Sequence, residues 1–302
     1  MKRILITGAH SYLGESFEAW AKAHYLGDFS IDTLDLHTPD WASVSFSGYD
    51  AVLHAAAIVH RVNEKTSDDL WPEYYAVNTE LAVQVANKAK TDGVHQFIFL
   101  SSMGIYGESK GYGAPWVITA ATAPAPTTFY GKSKWMAEQK ITPMEDENFN
   151  VAILRPPMIY GKGCKGNYPT LSKIARKFPV FPDVQNERSM LYIANFCEFL
   201  CRLIQSGKGG LYFPQDAEYV KTADMVSAIA CAAGKRIWVT KLLNPLVALV
   251  SSCPGRIGKK ANKAFGNMVY DLALSNYEGF SYHVANFPES VMLTEQSVHR
   301  ES

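Results

Sequence analysis

The sequence predicts an α/β fold in which a doubly wound parallel sheet is followed by a smaller C-terminal domain. Strand and helix patterns alternate along the first half of the chain, as they do in sheets built from βαβ units. A glycine-rich turn follows the first predicted strand directly. Gln96–Ser101 is almost wholly apolar, as expected of a parallel strand that is buried on both faces. The 302 residues suffice for one large α/β domain with a smaller appendage.

The predicted elements of the first half follow one another in regular order. Leu13, Phe17 and Trp20 recur at helical spacing, so an amphipathic helix follows the glycine turn. The next long helix ends at Asp92 and Gly93, a pattern typical of a helix C-terminus. The predicted strands are Arg3–Thr7, Ser30–Leu36, Ala51–His54, Gln96–Ser101 and Val151–Arg155, and the predicted helices are Ser11–His24, Glu73–Thr91 and Thr127–Ile141.

Beyond Tyr160 the pattern changes to shorter helices separated by loops rich in glycine and proline. We therefore expect residues 1–160 to form the main domain and residues 161–302 a smaller substrate domain. Some elements near residues 187–215 are expected to return to the sheet. The helices predicted in this half are Pro169–Lys177, Asn195–Gln205 and Thr222–Ala233.

Composition and charge exclude several classes of partner. The net charge is zero and no basic run stands out, so nucleic-acid binding has no electrostatic support. The apolar run within Met1–Thr7 is too short for a signal peptide. The most lipid-like segment, Leu242–Val250, contains Asn244 and Pro245 and is far shorter than a spanning helix. We expect it to be a buried or interface helix, and we expect no membrane partner.

The cysteines give no sign of a disulfide or of a metal site. Their number is odd, and no CxxC pair occurs. Cys197 and Cys201 share a helix face, but no histidine or third cysteine lies near them to complete a zinc site. We expect reduced thiols, no metal and a cytoplasmic protein. The five are Cys164, Cys197, Cys201, Cys231 and Cys253.

The segment Thr7–Gly14 predicts a dinucleotide site of the Rossmann type. It links the first strand to the first helix, where Gly8 allows a tight turn and Gly14 allows strand and helix to pack closely. The N-terminus of that helix offers free N–H groups and a positive dipole end to a pyrophosphate. Ser11 stands where the middle glycine is usual, so its side chain either points away from the phosphates or bonds to them. The expected contacts are Gly8, Ser11, Tyr12, Leu13 and Gly14.

Asp35 indicates which dinucleotide is bound. It ends the second predicted strand, 21 residues after Gly14. An acid there hydrogen-bonds a ribose 2′-hydroxyl and repels a 2′-phosphate, which favours NAD over NADP. His37, just after it, leaves NADP open. Asp40 is predicted either to reach the adenine amino group or to be a plain loop acid.

Tyr130 and Lys134 are the predicted chemical pair. Four residues apart on a helix, they lie on one face. A free tyrosine titrates near pH ~10, and a neighbouring ammonium and a bound cationic ring would lower that pKa. Such a pair suits proton transfer to or from a sugar or alcohol oxygen. Ser102 follows the fourth strand, at the edge of the sheet where ligands bind in such folds.

Together these residues form a set of motifs that resembles the extended short-chain dehydrogenase/reductase family, in its sugar-nucleotide epimerase/dehydratase branch. The resemblance covers nearly the whole chain. The matching segments are Thr7–Gly14 with Ser11 as a departure from TGxxGxxG, His54–Ala57 as HxAA, Asn78 as the helix asparagine, Ser101–Gly107 as SSxxxYG, Tyr130–Lys134 as YxxxK and Arg155–Gly161 as RPxxVYG.

The resemblance implies a role for each site residue. Ser102 would hydrogen-bond the substrate oxygen, Tyr130 would exchange its proton, and Lys134 would hold the nicotinamide ribose and lower the tyrosine pKa. Asn167 and Arg188 would hold the diphosphate of a nucleotide sugar, with Met103 also at the substrate. The cofactor would further contact Ala55, Ala56, Asn78, Tyr130 and Pro157. The family also implies a homodimer.

These residues reduce the number of possible reactions but do not select a single one. Dehydratases of the family carry Asp-Glu directly after the serine or threonine, where this chain has Met103 and Gly104, so dehydration is disfavoured. A nucleotide-sugar 4-epimerase would oxidise C4 and return the hydride to the other face. A 4-keto-6-deoxyhexose 4-reductase would transfer hydride once. Asp35 suits a retained NAD and favours the epimerase.

A third hypothesis is a non-catalytic dinucleotide sensor with the same fold. Such sensors typically lose the tyrosine or the lysine of the pair. This chain keeps both Tyr130 and Lys134, which argues against a sensor.

Overall fold

A six-stranded, fully parallel sheet forms the centre of the protein and confirms the predicted fold class. The computed structural model describes residues 1–59 and 70–296. The strands of the sheet are β1 (Lys2–Thr7), β2 (Phe29–Leu34), β3 (Ala51–His54), β4 (Gln96–Leu100), β6 (Asn150–Leu154) and β10 (Gly210–Tyr212). Their order across the sheet is β10-β6-β4-β3-β1-β2, so the chain winds outward from β1 in both directions.

Helices cover both faces of this sheet, because its central strands are apolar on both sides. All five residues of β4 and all four of β3 are buried. One face packs against α1 and α6, and the other packs against α3 and α4. The helices of these layers are α1 (Tyr12–His24), α2 (Trp71–Tyr75), α3 (Ala82–Thr91), α4 (Phe129–Ile141) and α6 (Ile193–Ser206).

The helix predicted at Glu73–Thr91 is interrupted by a π-helical turn over Ala76–Leu81. The turn places two consecutive polar residues, Asn78 and Thr79, in fully buried positions. Both hydrogen-bond to Ser133 on α4: the Asn78 amide donates to its hydroxyl at 3.0 Å, and the Thr79 hydroxyl donates to its carbonyl at 2.8 Å. Such π turns are frequent at functional sites.

The second half of the chain is less regular, as predicted, and one of its strands joins the sheet. β10 pairs with β6, so the region near residues 187–215 contributes to the sheet, while the domain boundary at residue 160 stays a prediction. Three additional pairs of short parallel strands were not predicted, because strands of two or three residues show no periodicity. These are β5 (Val117–Ile118) with β12 (Val269–Tyr270), β7 (Met158–Tyr160) with β9 (Met190–Tyr192), and β8 (Val180–Pro182) with β11 (Trp238–Thr240).

Three helices were predicted in this half, and their observed ends differ from the predicted ends by two residues or fewer. The remaining helices are α5 (Asn167–Lys177), α7 (Thr222–Ala232), α8 (Asn244–Ser252), α9 (Arg256–Phe265) and α10 (Phe287–Gln296). All five cysteines are free thiols in the structure.

The apolar segment Leu242–Val250 is helical, in a 3-10 turn and in α8, and of the two alternatives expected for it the described residues do not bury it, so an interface helix stays a prediction. Val247 is buried, whereas Leu246 and Leu249 on α8 are 58% and 64% exposed. Within the described residues, no helix has both the length and the apolar character needed to cross a bilayer.

Candidate active site

The glycine turn after β1 brings two backbone segments into direct contact. Gly8 has φ +101°, and a Cβ built on it would lie 2.6 Å from the amide nitrogen of Ala56. Ala55 and Ala56 both donate their N–H groups to the Thr7 carbonyl, at 2.9 and 3.1 Å. A residue with a side chain at position 8 would therefore force the turn and the segment after β3 apart.

Replacing Gly8 with alanine should weaken dinucleotide binding at least tenfold. The clash with Ala56 would displace the two backbone segments that the site needs close together, and positive φ adds about 1–2 kcal/mol of strain. Gly27→Ala is the matched control, because Gly27 also has positive φ (+86°) but has no neighbour within 4 Å of a built Cβ. Calorimetric titration with NAD should show lost affinity for the first variant and unchanged affinity for the second. Equal affinities would contradict this role for Gly8.

Ser11 caps the first helix, while its contact with the phosphates stays a prediction. Its hydroxyl oxygen accepts a hydrogen bond from the Gly14 N–H at 3.2 Å. The N–H groups of Tyr12 and Leu13 begin the helix and belong to its unpaired first turn. Their side chains pack into the core, so these two residues can serve a pyrophosphate only through the backbone. A turn with this geometry fits a dinucleotide phosphate.

Gly14 has the packing role that was predicted for it. A Cβ at this position would lie 3.0 Å from Ile6 Cγ2 and 2.7 Å from Ser11 Oγ. Helix α1 therefore approaches β1 closely at its first turn, which places the helix N-terminus at the carboxyl end of the strand.

The two acids predicted near the adenosine lie on the surface after β2. Asp35 follows the last strand residue, Leu34, and its Oδ1 accepts the His37 N–H at 2.9 Å. Asp40 is exposed and precedes a single 3-10 turn at Trp41–Ser43. Their contacts with a cofactor stay predictions.

Asn78 connects the segment after β3 to the helix that carries the predicted catalytic pair. Its Oδ1 accepts the Ile58 N–H at 2.8 Å, and its Nδ2 donates to the Ile58 carbonyl at 3.0 Å and to Ser133 Oγ at 3.0 Å. The polar group was expected to need a partner, and it has three. Asn78 thus positions the loop that carries Ala55 and Ala56, while its contact with a cofactor stays a prediction.

The structure brings Ser102, Tyr130 and Lys134 together at the carboxyl end of β4. Ser102 starts a 3-10 turn over Met103–Tyr106, and its hydroxyl accepts the Gly104 N–H at 3.0 Å. Ser102 and Tyr130 both lie next to Gly104, because a Cβ built on Gly104 would be 3.3 Å from Ser102 Oγ and 3.8 Å from Tyr130 Cδ1. The turn and α4 touch at two glycines, because a Cβ on Gly131 would lie 2.5 Å from the Gly104 carbonyl oxygen.

The electrostatics of the pair differ from the sequence-based expectation. Burial raises the pKa of Tyr130 to about 12, and the hydrogen bond with Ser102 opposes that shift only in part. Burial also lowers the pKa of Lys134 to about 7, although the carboxylate of Glu138 acts against it. The predicted lowering of the tyrosine pKa by Lys134 is therefore not seen: burial penalises the charged form of both groups. The ammonium of Lys134 lies 4.6 Å from the centre of the Phe99 ring.

The predicted substrate residues lie at different places. Met103 is buried in an apolar cluster, and its N–H donates to the Pro156 carbonyl at 2.9 Å, next to the buried Pro157. Asn167 is exposed at the start of α5. Arg188 is half-buried, and its Nη1 donates to the carbonyls of Lys263 at 2.9 Å and Gly266 at 3.2 Å. Their contacts with substrate, and that of Pro157 with cofactor, stay predictions.

A family model described as "NAD dependent epimerase/dehydratase family" matches residues 4–212, which include the glycine turn, Ser102, Tyr130 and Lys134. The chain belongs to this family. Membership confirms the predicted family and the predicted class of NAD(P)-dependent epimerase or reductase.

Two characterised relatives of this epimerase/dehydratase family protein are 4-epimerases. The UDP-glucose 4-epimerase of Vibrio cholerae is 28% identical over 257 residues, 78% of this chain and 77% of the relative. The N-acetyl-alpha-D-glucosaminyl-diphospho-ditrans,octacis-undecaprenol 4-epimerase of Escherichia coli O157:H7 is 27% identical over 287 residues, 87% of this chain and 82% of the relative.

Solved structures share the whole fold of this family member. A dTDP-4-dehydrorhamnose reductase from Clostridium acetobutylicum superposes with a TM-score of 0.72 at 15% identity, covering 98% of this chain and 99% of the other. The UDP-glucuronic acid 4-epimerase of Bacillus cereus, in complex with NAD, gives 0.71 at 17% identity, covering 99% of both chains. At these identities the likeness establishes the fold alone.

The epimerase/dehydratase site also contains a buried ion pair that the sequence reasoning missed. Glu138, one helical turn after Lys134, accepts from Arg155 Nη2 at 2.6 Å and from Arg155 Nε at 3.1 Å. The Ser101 hydroxyl donates to the same carboxylate, and Arg155 Nη1 donates to the Tyr106 hydroxyl at 2.6 Å. The only signal for Glu138 in the local sequence was its spacing of four residues from Lys134, which places both side chains on one helix face. This network joins the helix of the catalytic pair to the ends of β4 and β6.

His54 is a second polar residue whose role only the structure shows. It is fully buried, and its Nδ1 lies 2.9 Å from the Thr7 hydroxyl. Burial lowers the pKa of His54 to about 3, with a smaller contribution from Lys134, so the ring is neutral at physiological pH. The histidine of the predicted HxAA motif therefore ties β3 to β1 below the glycine turn.

Proposed function

We propose that the protein is an NAD-dependent 4-epimerase of hexoses that are linked to a diphosphate, with a nucleoside as the leading carrier. The observation that carries the proposal is the close approach of Ser102 and Tyr130 beside Gly104, with Lys134 one turn further along α4. Met103 and Gly104 follow Ser102 directly, and neither can act as the acid or base of a dehydratase. The two 4-epimerases among the relatives support the same reaction.

Tyr130 and Ser102 carry the proton chemistry in this proposal. Burial raises the pKa of Tyr130 to about 12, so the phenol holds its proton at neutral pH and can donate it to a keto oxygen at C4. In the opposite direction the hydrogen bond with Ser102 favours the phenolate that takes the proton back. Bound NAD supplies the hydride acceptor. An epimerase uses both directions once in each turnover.

The carrier of the sugar would be recognised through its diphosphate. Arg188 and Asn167 are the proposed contacts, and the guanidinium of Arg188 is held in place through Nη1 by the end of α9. A bidentate contact from arginine suits a diphosphate. The proposal further includes a homodimer and a cytoplasmic location, which sedimentation and cell fractionation would check.

A polyprenyl diphosphate is a second candidate carrier. The Escherichia coli relative is named for a sugar on diphospho-undecaprenol. One structural observation favours this carrier: α8 presents exposed leucines next to a segment rich in lysine. Both carriers present the same sugar 1-diphosphate to the site.

A substrate panel tests the proposal. UDP-glucose and UDP-N-acetylglucosamine, offered without added reductant, should each be examined for conversion to the C4 epimer by NMR, together with a polyprenyl-diphosphate N-acetylhexosamine. Formation of a C4 epimer from at least one of them is expected. Oxidation of NADH only in the presence of a 4-keto-6-deoxy sugar would assign the reductase alternative. Dinucleotide binding with no turnover of either kind would assign a sensor.

A further inference from the structure

The surface around α8 and α9 exposes several large apolar side chains. Five of them lie within twenty residues of sequence. We call the segment from Lys235 to Phe265 the basic hairpin; it contains β11, α8 and α9. The exposed fractions are 62% for Trp238, 79% for Leu242, 58% for Leu246, 64% for Leu249 and 66% for Ile257. Monomeric proteins rarely expose such a cluster without a binding role.

The apolar side chains of the basic hairpin form a stripe on an anchored helix. Leu246 and Leu249 lie three residues apart on one face of α8, and the exposed Leu242 precedes them in the 3-10 turn Lys241–Leu243 that leads into the helix. Val247, on another face, is buried and packs the helix onto the protein. Asn262 Nδ2 on α9 donates to the Ser251 carbonyl at 3.0 Å, which ties the two helices together. The stripe is thus held outward by a fixed support.

The charge of the same segment has one sign. Residues 225–270 contain no aspartate or glutamate, although 29 acids in 302 residues would place about four in an average stretch of 46. The segment holds seven cations, while the net charge of the chain is zero. They are Lys235, Arg236, Lys241, Arg256, Lys259, Lys260 and Lys263.

We propose that the basic hairpin is a membrane-binding surface that lies in the headgroup layer of a bilayer containing anionic phospholipids. An apolar stripe bordered by lysines and a tryptophan is the composition of interfacial helices, whose apolar face enters the bilayer by only about 5–10 Å. The nine residues of α8 are enough for that depth and far too few to span. Anionic lipid is the occupant that complements a segment with cations and no acids.

A second copy of the chain fits this surface less well. A two-fold dimer through the stripe would place the seven cations of one segment against the seven of the other, with no acid in either segment to pair with them. Like charges brought together at an interface are strongly unfavourable. The positive charge of the segment therefore favours a bilayer over a second copy of the chain as the occupant of this surface.

The basic hairpin also leads to the proposed diphosphate site. The last turn of α9 and the following Gly266 hold Arg188 through its Nη1. A bilayer bound by the hairpin would therefore lie on an element that contacts the proposed diphosphate ligand. This link to a lipid-carried substrate rests on the proposed function, whereas the membrane surface itself does not.

Vesicle co-sedimentation tests the surface without any substrate. The full chain at low salt should bind vesicles of phosphatidylcholine mixed with phosphatidylglycerol, and it should bind vesicles of phosphatidylcholine alone at least tenfold more weakly. Added salt should release it, because exposed charges are screened over about 10 Å at 0.1 M ionic strength. Failure to bind the anionic vesicles would overturn the proposal, whatever the substrate panel shows.

Two pairs of matched variants separate the apolar and the charged contributions. Leu246→Ser should weaken binding to the anionic vesicles by roughly tenfold or more, since a buried leucine is worth about 1.5–3 kcal/mol. Lys260→Glu should weaken it by about fivefold or more, the effect of losing one cation near an anionic surface. The controls Leu26→Ser and Lys208→Glu, both exposed outside the hairpin, should bind like the unmodified protein.

The other outcomes of these experiments also test whether the basic hairpin binds a membrane. Equal weakening by the controls would show general adhesion and would contradict the proposal. A dimer that Leu246→Ser dissociates, with no vesicle binding by either form, would assign the stripe to a second copy instead. Unchanged thermal unfolding of all four variants, expected because these side chains are exposed, ensures that lost binding reports on the surface.

Discussion

Replacing Tyr130 with phenylalanine is expected to lower kcat by about 10²–10⁴, the usual contribution of a general acid–base. The substitution removes only the hydroxyl group, and it leaves the ring in place on α4 beside Gly104. Binding of NAD should change little, because the glycine turn and the N-terminus of α1 are untouched. The measurement is kcat for the substrate identified by the panel, with NAD affinity determined in parallel by calorimetry.

A matched control for this substitution lies on the neighbouring helix. Tyr75 also carries a hydroxyl in a polar contact, since Lys140 Nζ donates to it at 2.9 Å, but it has no place in the proposed mechanism. Tyr75→Phe should keep kcat within a factor of two. Full activity of Tyr130→Phe, or an equal loss in both variants, would show that the Tyr130 hydroxyl does not carry the proton.

Replacing Glu138 with glutamine should destabilise the protein by about 3–5 kcal/mol, the cost of leaving a buried charge without its partner. The side chains of Glu138 and Arg155 are only 3% and 9% exposed, so water cannot replace the lost carboxylate. Urea unfolding monitored by tryptophan fluorescence measures the effect.

An exposed ion pair of the same chain provides the control. Glu18 and Lys22 lie four residues apart on α1, with the Lys22 side chain 68% exposed. Glu18→Gln should change the free energy of unfolding by about 0.5 kcal/mol or less. The double variant Glu138→Leu/Arg155→Met should recover much of the lost stability, because it removes both buried charges. A stability loss in Glu138→Gln no larger than in Glu18→Gln would show that the pair is solvated.

The sequence was sufficient to predict five of the six strands of the sheet and the shared helix face of Tyr130 and Lys134, because both depend on local patterns. The bounds of α1 follow from the capping serine at residue 11, and β4 follows from its apolar run. Tyr130 and Lys134 share a helix face wherever that helix packs. Ser102 needed one additional rule, that carboxyl ends of parallel strands gather at one edge.

The residues that were missed depend on contacts between segments that are distant in sequence. Nothing local pairs Glu138 with Arg155 rather than with Lys134, and only packing places their side chains in one buried pocket. The π turn at Asn78 likewise depends on Ser133 of another helix. The tyrosine pKa was predicted from the neighbouring charge, but burial is the larger effect. Exposure of Leu246 could not be predicted, because hydropathy does not say what covers a helix.

The short strand β10 has a consequence for how the chain is assembled during synthesis. Until it forms, β6 has a neighbour on one side only and presents an unpaired edge. Its residues, Gly210–Tyr212, come 56 positions after the end of β6 at Leu154. A nascent chain released from the ribosome before Tyr212 therefore keeps an unpaired strand edge, and the shortest N-terminal fragment that contains all six strands of the central sheet ends at Tyr212, where the family match also ends.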